Sequence, residues 1–375
     1  MPENNNDSYV ITFPNSIAWA FNPNYIEVTA PSGGAAPYVE ITVGSLPAIK
    51  AVLYNGHAKV YISRLLQICF TSPKTKRVKN ITIQIEEAEY TDPVSGAIAG
   101  GWLLATQTIT TVWGGINLGE RAFNYGVYSY EQGHGWLTSH IQCFINFPFT
   151  LELLVANNST LNRRAGSSGY SQVGTYNANQ MVTITKNNVL GGRTHGIVTY
   201  RQDISPNGLN TGGTFDQTFD YTFHTPADTT VITQVHLRQE QEGFYLRWIS
   251  HFGFMQYYLF DGGDKTTKTT RTGTLPEETL MDGMYFGGAQ RTIGINGARS
   301  MKMCAMNLNP ETLEYVQDII SSPFVDLYIG VDKHGHDIWQ PVRMADNSYV
   351  VKTQHNYLSD FEITIELPDL TTQAL

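Results

Sequence analysis

Four side chains within the stretch "DKHGHD" (332–337) form the densest group of potential metal ligands in this chain: His334 and His336, flanked by Asp332 and Asp337. Imidazoles two residues apart on a strand share a face, which a metal ion can exploit. Gly335 between them instead marks a hairpin tip, where short polar residues serve the turn. His134 in "GHGW" is read in the same way. Glycoside hydrolysis needs only two acids about 5–10 Å apart, from any part of the chain. Glu86, Glu87, Glu89, Asp216 and Asp220 are candidates in that sense, and the simpler expectation is that they wet the solvent faces of strands. Asp261 and Asp264 in "FDGGDKTT" lack the alternating oxygen ligands of a calcium loop.

Cys69, Cys143 and Cys304 stand far apart among apolar neighbours, as buried reduced thiols do, with no metal-knuckle or redox-pair spacing. There is no GxSxG elbow, HExxH helix or GxxxxGK[ST] loop, and no βαβ alternation to hold a dinucleotide. Glycine pairs in "VLGGRTHG", "NTGGTF", "FDGGDK" and "YFGGAQ" precede no helix whose dipole could hold a phosphate, so they read as turns and bulges. The expectation is a protein that is not an enzyme, with no catalytic residue, cofactor or metal.

The elements that would position any site are strands. Charged residues make up only 15% of the 375, while Gly, Tyr, Phe, Thr and Asn abound, a mix suited to sheets and turns. A net charge of −9 disfavours a nucleic-acid partner, and the one basic run, "SPKTKRVK" (72–79), reads as a solvated loop. The start carries no secretory signal pattern, and the longest apolar region (143–156) is broken by Asn146, Pro148 and Glu152, too short for a membrane span.

Alternating "YIEVTA" and "YVEITVG" across "PSGGAAP", then "AVLYNGHAKVYIS" with Asn55-Gly56 at a tight turn, predict two successive hairpins. "SRLLQICF" fits a helical turn or a buried strand end. "KNITIQIEEAEY" and "GWLLATQTITTVW" add strands, and the glycine-rich 114–136 marks a boundary or a structured loop against the first domain. Polar, Gly/Ser-rich 159–180 reads as a long exposed loop. "TFDQTFDYTFH" (214–224) reads as a strand with Phe215, Phe219, Tyr221 and Phe223 on one face. One helix is expected, near 310–321, with Asn309 as N-cap, Pro310 at its first position, and Leu313, Val316, Ile319 and Ile320 at helical spacing. The whole is all-β: two or three antiparallel sandwich or barrel domains (1–118, 119–228 and 229–375) with one short C-terminal helix.

The aromatic run "GFYLRWISHFGFMQYYLFDGG" (243–263) alternates as a hairpin, Phe244, Leu246 and Trp248 opposing Tyr245, Arg247 and Ile249. Both faces are apolar, which suits core or interface better than an open sugar platform. Phe244, Trp248, Phe252, Phe254, Tyr257 and Tyr258 are the interface candidates.

"FNPNYIEV", "NGHAKVYISRLLQICF", "VWGGINLGE", "CFINFPFTLEL", "FYLRWISHFGFMQYYLF", "NLNPETLEYVQDIISSPFVDLYI" and "IWQPVRM…NYLSDFEITIEL", in that order, resemble virion proteins of tail or baseplate type from tailed phages and prophages of gut Bacteroidales. The resemblance covers most of the chain but carries no site motif. It implies a virion structural subunit, assembled in the host cytoplasm, whose partners are copies of itself and other virion proteins. A tail-tip adhesin for host surface glycan, or less simply a glycoside hydrolase, are the alternatives.

Overall fold

The computed structural model describes residues 3–6, 9–31, 37–88, 90–91, 98–99, 101–116, 138–144, 146–155, 159–165, 171–185, 217–224, 230–238, 242–281, 284–353 and 358–370. Within them the expected class is observed: mostly antiparallel sheets, one closed six-stranded barrel and a short helix near the C-terminus.

The N-terminal region is two facing sheets. One orders Glu3–Asn6, Tyr9–Thr12, Tyr25–Thr29 and His57–Tyr61; the other orders Ile17–Trp19, Leu103–Val112, Val78–Glu87, Tyr38–Val43 and Ile49–Val52. Alternation dictates the layer between them. Val39, Ile41 and Val43 turn inward with Ile81, Ile83 and Ile85 against Ile26 and Val28 of the other sheet, and all are buried. Asn55 and Gly56 take the positive φ values, 51° and 76°, of a primed turn. The two expected hairpins are nevertheless corners. Residues 49–52 and 38–43 join one sheet, and 57–61 and 25–29 join the other, diverging after the single Tyr54–His57 bridge. The reason is burial: Ala51, Leu53 and Ala58 face the same apolar gap from opposite layers, and a flat hairpin would not allow that. "SRLLQI" forms a short helix, Ser63–Ile68, with Leu66 buried.

The barrel orders Phe244–Ile249, Met255–Met281, Met284–Leu308, Ser359–Leu370, Asp337–Thr353 and Val325–Val331, which returns to the first. The helix Pro310–Gln317 connects two of these strands. Asn309 accepts from the Thr312 N–H at 2.7 Å, and Pro310 opens the helix as expected. Val316 and Ile319 are fully buried, but Ile320 is 37% exposed, unlike its expected place on the apolar stripe. At Asp318 the helix tightens to a 3-10 turn, Asp318–Ser321, whose three-residue period aligns 316 with 319 and rotates 320 outward.

Two further strand groups lie between these regions in sequence. Thr150–Val155 pairs with Gln180–Thr185, and its Phe149, Leu151 and Leu153 belong to the same apolar cluster as Tyr245, Trp248 and Phe361. The other sheet orders Thr138–Phe144, Thr230–Arg238, Gln217–His224, Ser159–Ala165 and Ser171–Tyr176. Its last two strands correct the reading of 159–180 as a loop. A strand built from Ser, Thr, Asn, Arg and Gln satisfies its backbone by pairing yet shows no apolar period by which to recognise it. Residues 166–170, the glycine-rich stretch 117–136 and the side chains proposed to alternate over 214–224 lie outside the described residues.

Candidate functional site

Five of the six interface candidates are buried inside this chain: Trp248, Phe252, Phe254, Tyr257 and Tyr258; Phe244 packs at the edge of the cluster. Phe244–Ile249 and Met255–Phe260 do pair as a hairpin covered on both faces. On one face Tyr245 stacks with Tyr257 at 5.9 Å and meets Trp339, Tyr328 and Phe147. On the other, Trp248 meets Tyr315 of the helix edge-on at 5.9 Å. Both faces are therefore covered by the chain itself: by the segment 147–153 on the Tyr245 side and by the helix on the Trp248 side. Hydroxyls tie the layers: Tyr245 donates to the Pro148 carbonyl at 2.9 Å, and Tyr257 pairs with Thr150 at 2.7 Å, with burial pushing the Tyr257 hydroxyl up to about 12.

Phe252 and Phe254 sit at a seam between the N-terminal sheets and the barrel, in a small cluster with Ile17, Trp19, Val112 and Leu154. Trp19 donates to the Phe252 carbonyl at 3.2 Å, and Gly115 N–H donates to the His251 carbonyl at 2.7 Å. A Cβ on Gly114 would lie 2.4 Å from the Phe252 backbone, and one on Gly253 (φ +92°) 2.3 Å from the Trp113 carbonyl. Only glycine permits this approach.

The basic run 72–79, expected as a solvated loop, supplies the charges of the seam. Arg77 donates to Glu152, and both are buried; the other Glu152 oxygen accepts from Met255 N–H at 2.7 Å. Burial pushes the Glu152 carboxyl up, and Arg77 and the amide pull it back. Lys74 and Arg247 hold buried Asp326 at 2.8 and 2.9 Å, and the Arg247 guanidinium lies 4.1 Å from the Trp339 ring centroid. No local signal announces these partners, since each lies far off in sequence.

The remaining candidates do not converge. Asp332 accepts from the His334 and His336 amides at 2.7 and 2.8 Å at an exposed hairpin tip, and those amides hold its carboxyl below the usual range. Among the described residues no three His, Cys, Asp or Glu side chains group as a metal site. Glu86 stands across from Glu40 on an open sheet face with Lys50 3.2 Å from Glu40, while Glu87 accepts from Tyr9 at 3.1 Å. Glu89 and Asp216 are outside the described residues, as are His134 and the side chain of Asp220. His251 pairs with Asp318, which also accepts from Ser321 at 2.9 Å, pinning the turn beside the seam. Among the described residues, hollows open on the barrel. One, about 400 Å3, lies between Phe144, Tyr258, Asn307 and Thr312; another, about 590 Å3, lies between Arg299, Pro341, Arg343 and Leu367.

One feature continues past the strand pairing that closes the barrel. Beyond Thr269 and Gly297 the two longest strands continue to Met281 and Met284, paired only with each other among the described residues. At a rise of about 3.3 Å per residue this ribbon is about 40 Å long.

No family model matches the chain, and no curated protein is significantly similar to it. Among solved structures it is similar to a chain of "Tail of empty GTA particle computed with helical refinement, C6 symmetry", 12% identical, covering 36% of this chain and 99% of that one, with a TM-score of 0.21. It is also similar to the full extracellular region of Plexin A4, 7% identical over 98% of this chain and 47% of that one, TM-score 0.21. Likenesses at these scores carry no argument about function. No helix among the described residues is long and apolar enough to cross a membrane.

Proposed function

We propose that the chain is a non-enzymatic structural subunit of a phage virion, a tail or baseplate component assembled in the host cytoplasm from copies of itself and other virion proteins. One observation supports this above the others: a two-stranded ribbon about 40 Å long that continues two strands of a closed barrel, with no third strand on either edge among the described residues. Such a ribbon is marginal alone in water, and its open edges invite another strand. The resemblance to virion proteins of gut Bacteroidales phages supplies the setting. Mass spectrometry of purified particles should find the chain at a fixed copy number. A version with 270–294 replaced by a short turn should fold but drop out of the particles. Particles that lack the full chain, or that take up the shortened one equally well, overturn the proposal.

A second reading, glycan binding at the tail tip, has Trp102 in its favour, 70% exposed at a sheet end. Tyr25 and Tyr61 are poorer platforms, because the Lys59 ammonium already lies 3.7 Å from the Tyr25 ring centroid and is paired with Glu27. Trp102→Ala should abolish glycan-array binding under that reading and change nothing under the first.

A further inference from the structure

The two edges of the ribbon differ in kind. The edge strand 268–281 carries Lys268, Arg271, Pro276, Glu277 and Glu278. Charges and proline are the residues by which natural sheets block an edge against further pairing. The edge strand 284–296, "MYFGGAQRTIGIN", has one charge, Arg291, no proline, and the β-formers Tyr285, Phe286, Thr292, Ile293 and Ile295. It continues the edge that, from Gly297 onward, already accepts strand Ser359–Leu370. One edge is guarded, and the other has no strand beside it among the described residues.

We infer that the edge 284–296 is a self-pairing surface, and that its occupant is the same strand of a second copy running antiparallel. In the register that sets Met284 against Asn296, Phe286 falls on a rung with Gly294, Gly287 with Ile293, and Gly288 with Thr292, so each glycine meets a bulky residue. Arg291 falls beside Ala289 and never opposite its counterpart, which avoids like-charge pairing across the strands. The two-fold axis passes through Gln290. An interface of this kind is isologous, joining two ribbons into a four-stranded sheet and completing a surface that a lone ribbon leaves unsatisfied. The inference deepens the assembly reading above and rests on it.

The test is sedimentation velocity of the purified full chain over a range of concentration. A reversible dimer is expected. Ile293→Lys, compared with the parent chain at matched thermal unfolding, should weaken it about tenfold or more by guarding the open edge. Thr270→Lys, on the edge already guarded, should change it less than about twofold. Gln290→Cys in a Cys304→Ser background should cross-link two copies under mild oxidation. A monomer at all concentrations, a dimer indifferent to Ile293→Lys, or a chain that associates only with a different virion protein overturns the inference. A monomer still present at fixed copy number in particles would defeat this surface and leave the virion reading standing; a ribbon dimer absent from particles would do the reverse.

Discussion

Between the N-terminal sheets the buried layer is Val39, Ile41, Val43, Ile81, Ile83 and Ile85, whereas the barrel region closes over Tyr245, Trp248, Tyr257, Tyr258, Phe260 and Phe361. Facing sheets about 10 Å apart leave a slot of even thickness that β-branched side chains fill on both sides. A barrel with a helix and a further strand pair laid on it leaves uneven spaces, which large rings fill. The rings add something aliphatic groups cannot: hydroxyls that reach a neighbouring element, as Tyr245 does to Pro148 and Tyr315 to the backbone of Tyr257. Aliphatic packing holds two sheets together, and aromatic packing with polar tips holds unlike elements together.

The contrast breaks most sharply at Trp248. Trp248→Ala should cost about 3–5 kcal/mol and lower the barrel's calorimetric transition while leaving that of the sandwich in place; an equal fall of both would mean that the two cores are one cooperative unit. Next in size is Arg77→Met, which leaves Glu152 buried without its cation at a cost of about 3 kcal/mol. Burial then pushes the Glu152 carboxyl up with only the Met255 amide against it. A carboxyl whose folded pKa exceeds its unfolded one stabilises below the unfolded value and loses that contribution as pH rises through the folded one, so the deficit should shrink in acid. Urea melts at neutral and mildly acidic pH measure this, and a deficit that grows in acid would refute it. Ile83→Val should cost about 1 kcal/mol and be confined to the sandwich transition. Smallest is Lys74→Ala, under about 1 kcal/mol and vanishing at high salt, since Lys74 is partly exposed and Arg247 still holds Asp326; chemical denaturation with and without added salt checks it.

What the sequence made legible is what is local. The 244–260 hairpin was readable because two-residue alternation and aromatic density survive in the fold, and the Asn309-Pro310 cap because capping is a four-residue affair. The Asn55-Gly56 turn was also readable, but not the sheets its arms would join, since a turn dictates its own φ angles and not the layer each arm covers. Ile320 was misplaced because nothing in the periodicity marks the switch to a 3-10 turn. Strands 159–165 and 171–176 were missed because polar strands carry no apolar period. The seam was least visible, with Arg77 and Glu152 75 residues apart and Lys74 and Asp326 252 apart. A charge in a loop looks the same whether it meets water or a distant carboxylate. The ribbon hid in threonines and glycines that read as turns.

Gly114 and Gly253 give the seam a mechanical character. Most packed surfaces are separated by side chains that yield by changing rotamer, a soft pad that absorbs displacement. Here main chain rests on main chain, latched by the Gly115 and Trp19 hydrogen bonds on either side. A force applied at the end of the ribbon acts through a lever about 40 Å long. Whatever torque it delivers to the barrel passes into the sandwich through rigid backbone with little compliance between them. The joint is stiff, and a single methyl group at either glycine would act as a wedge driven into it.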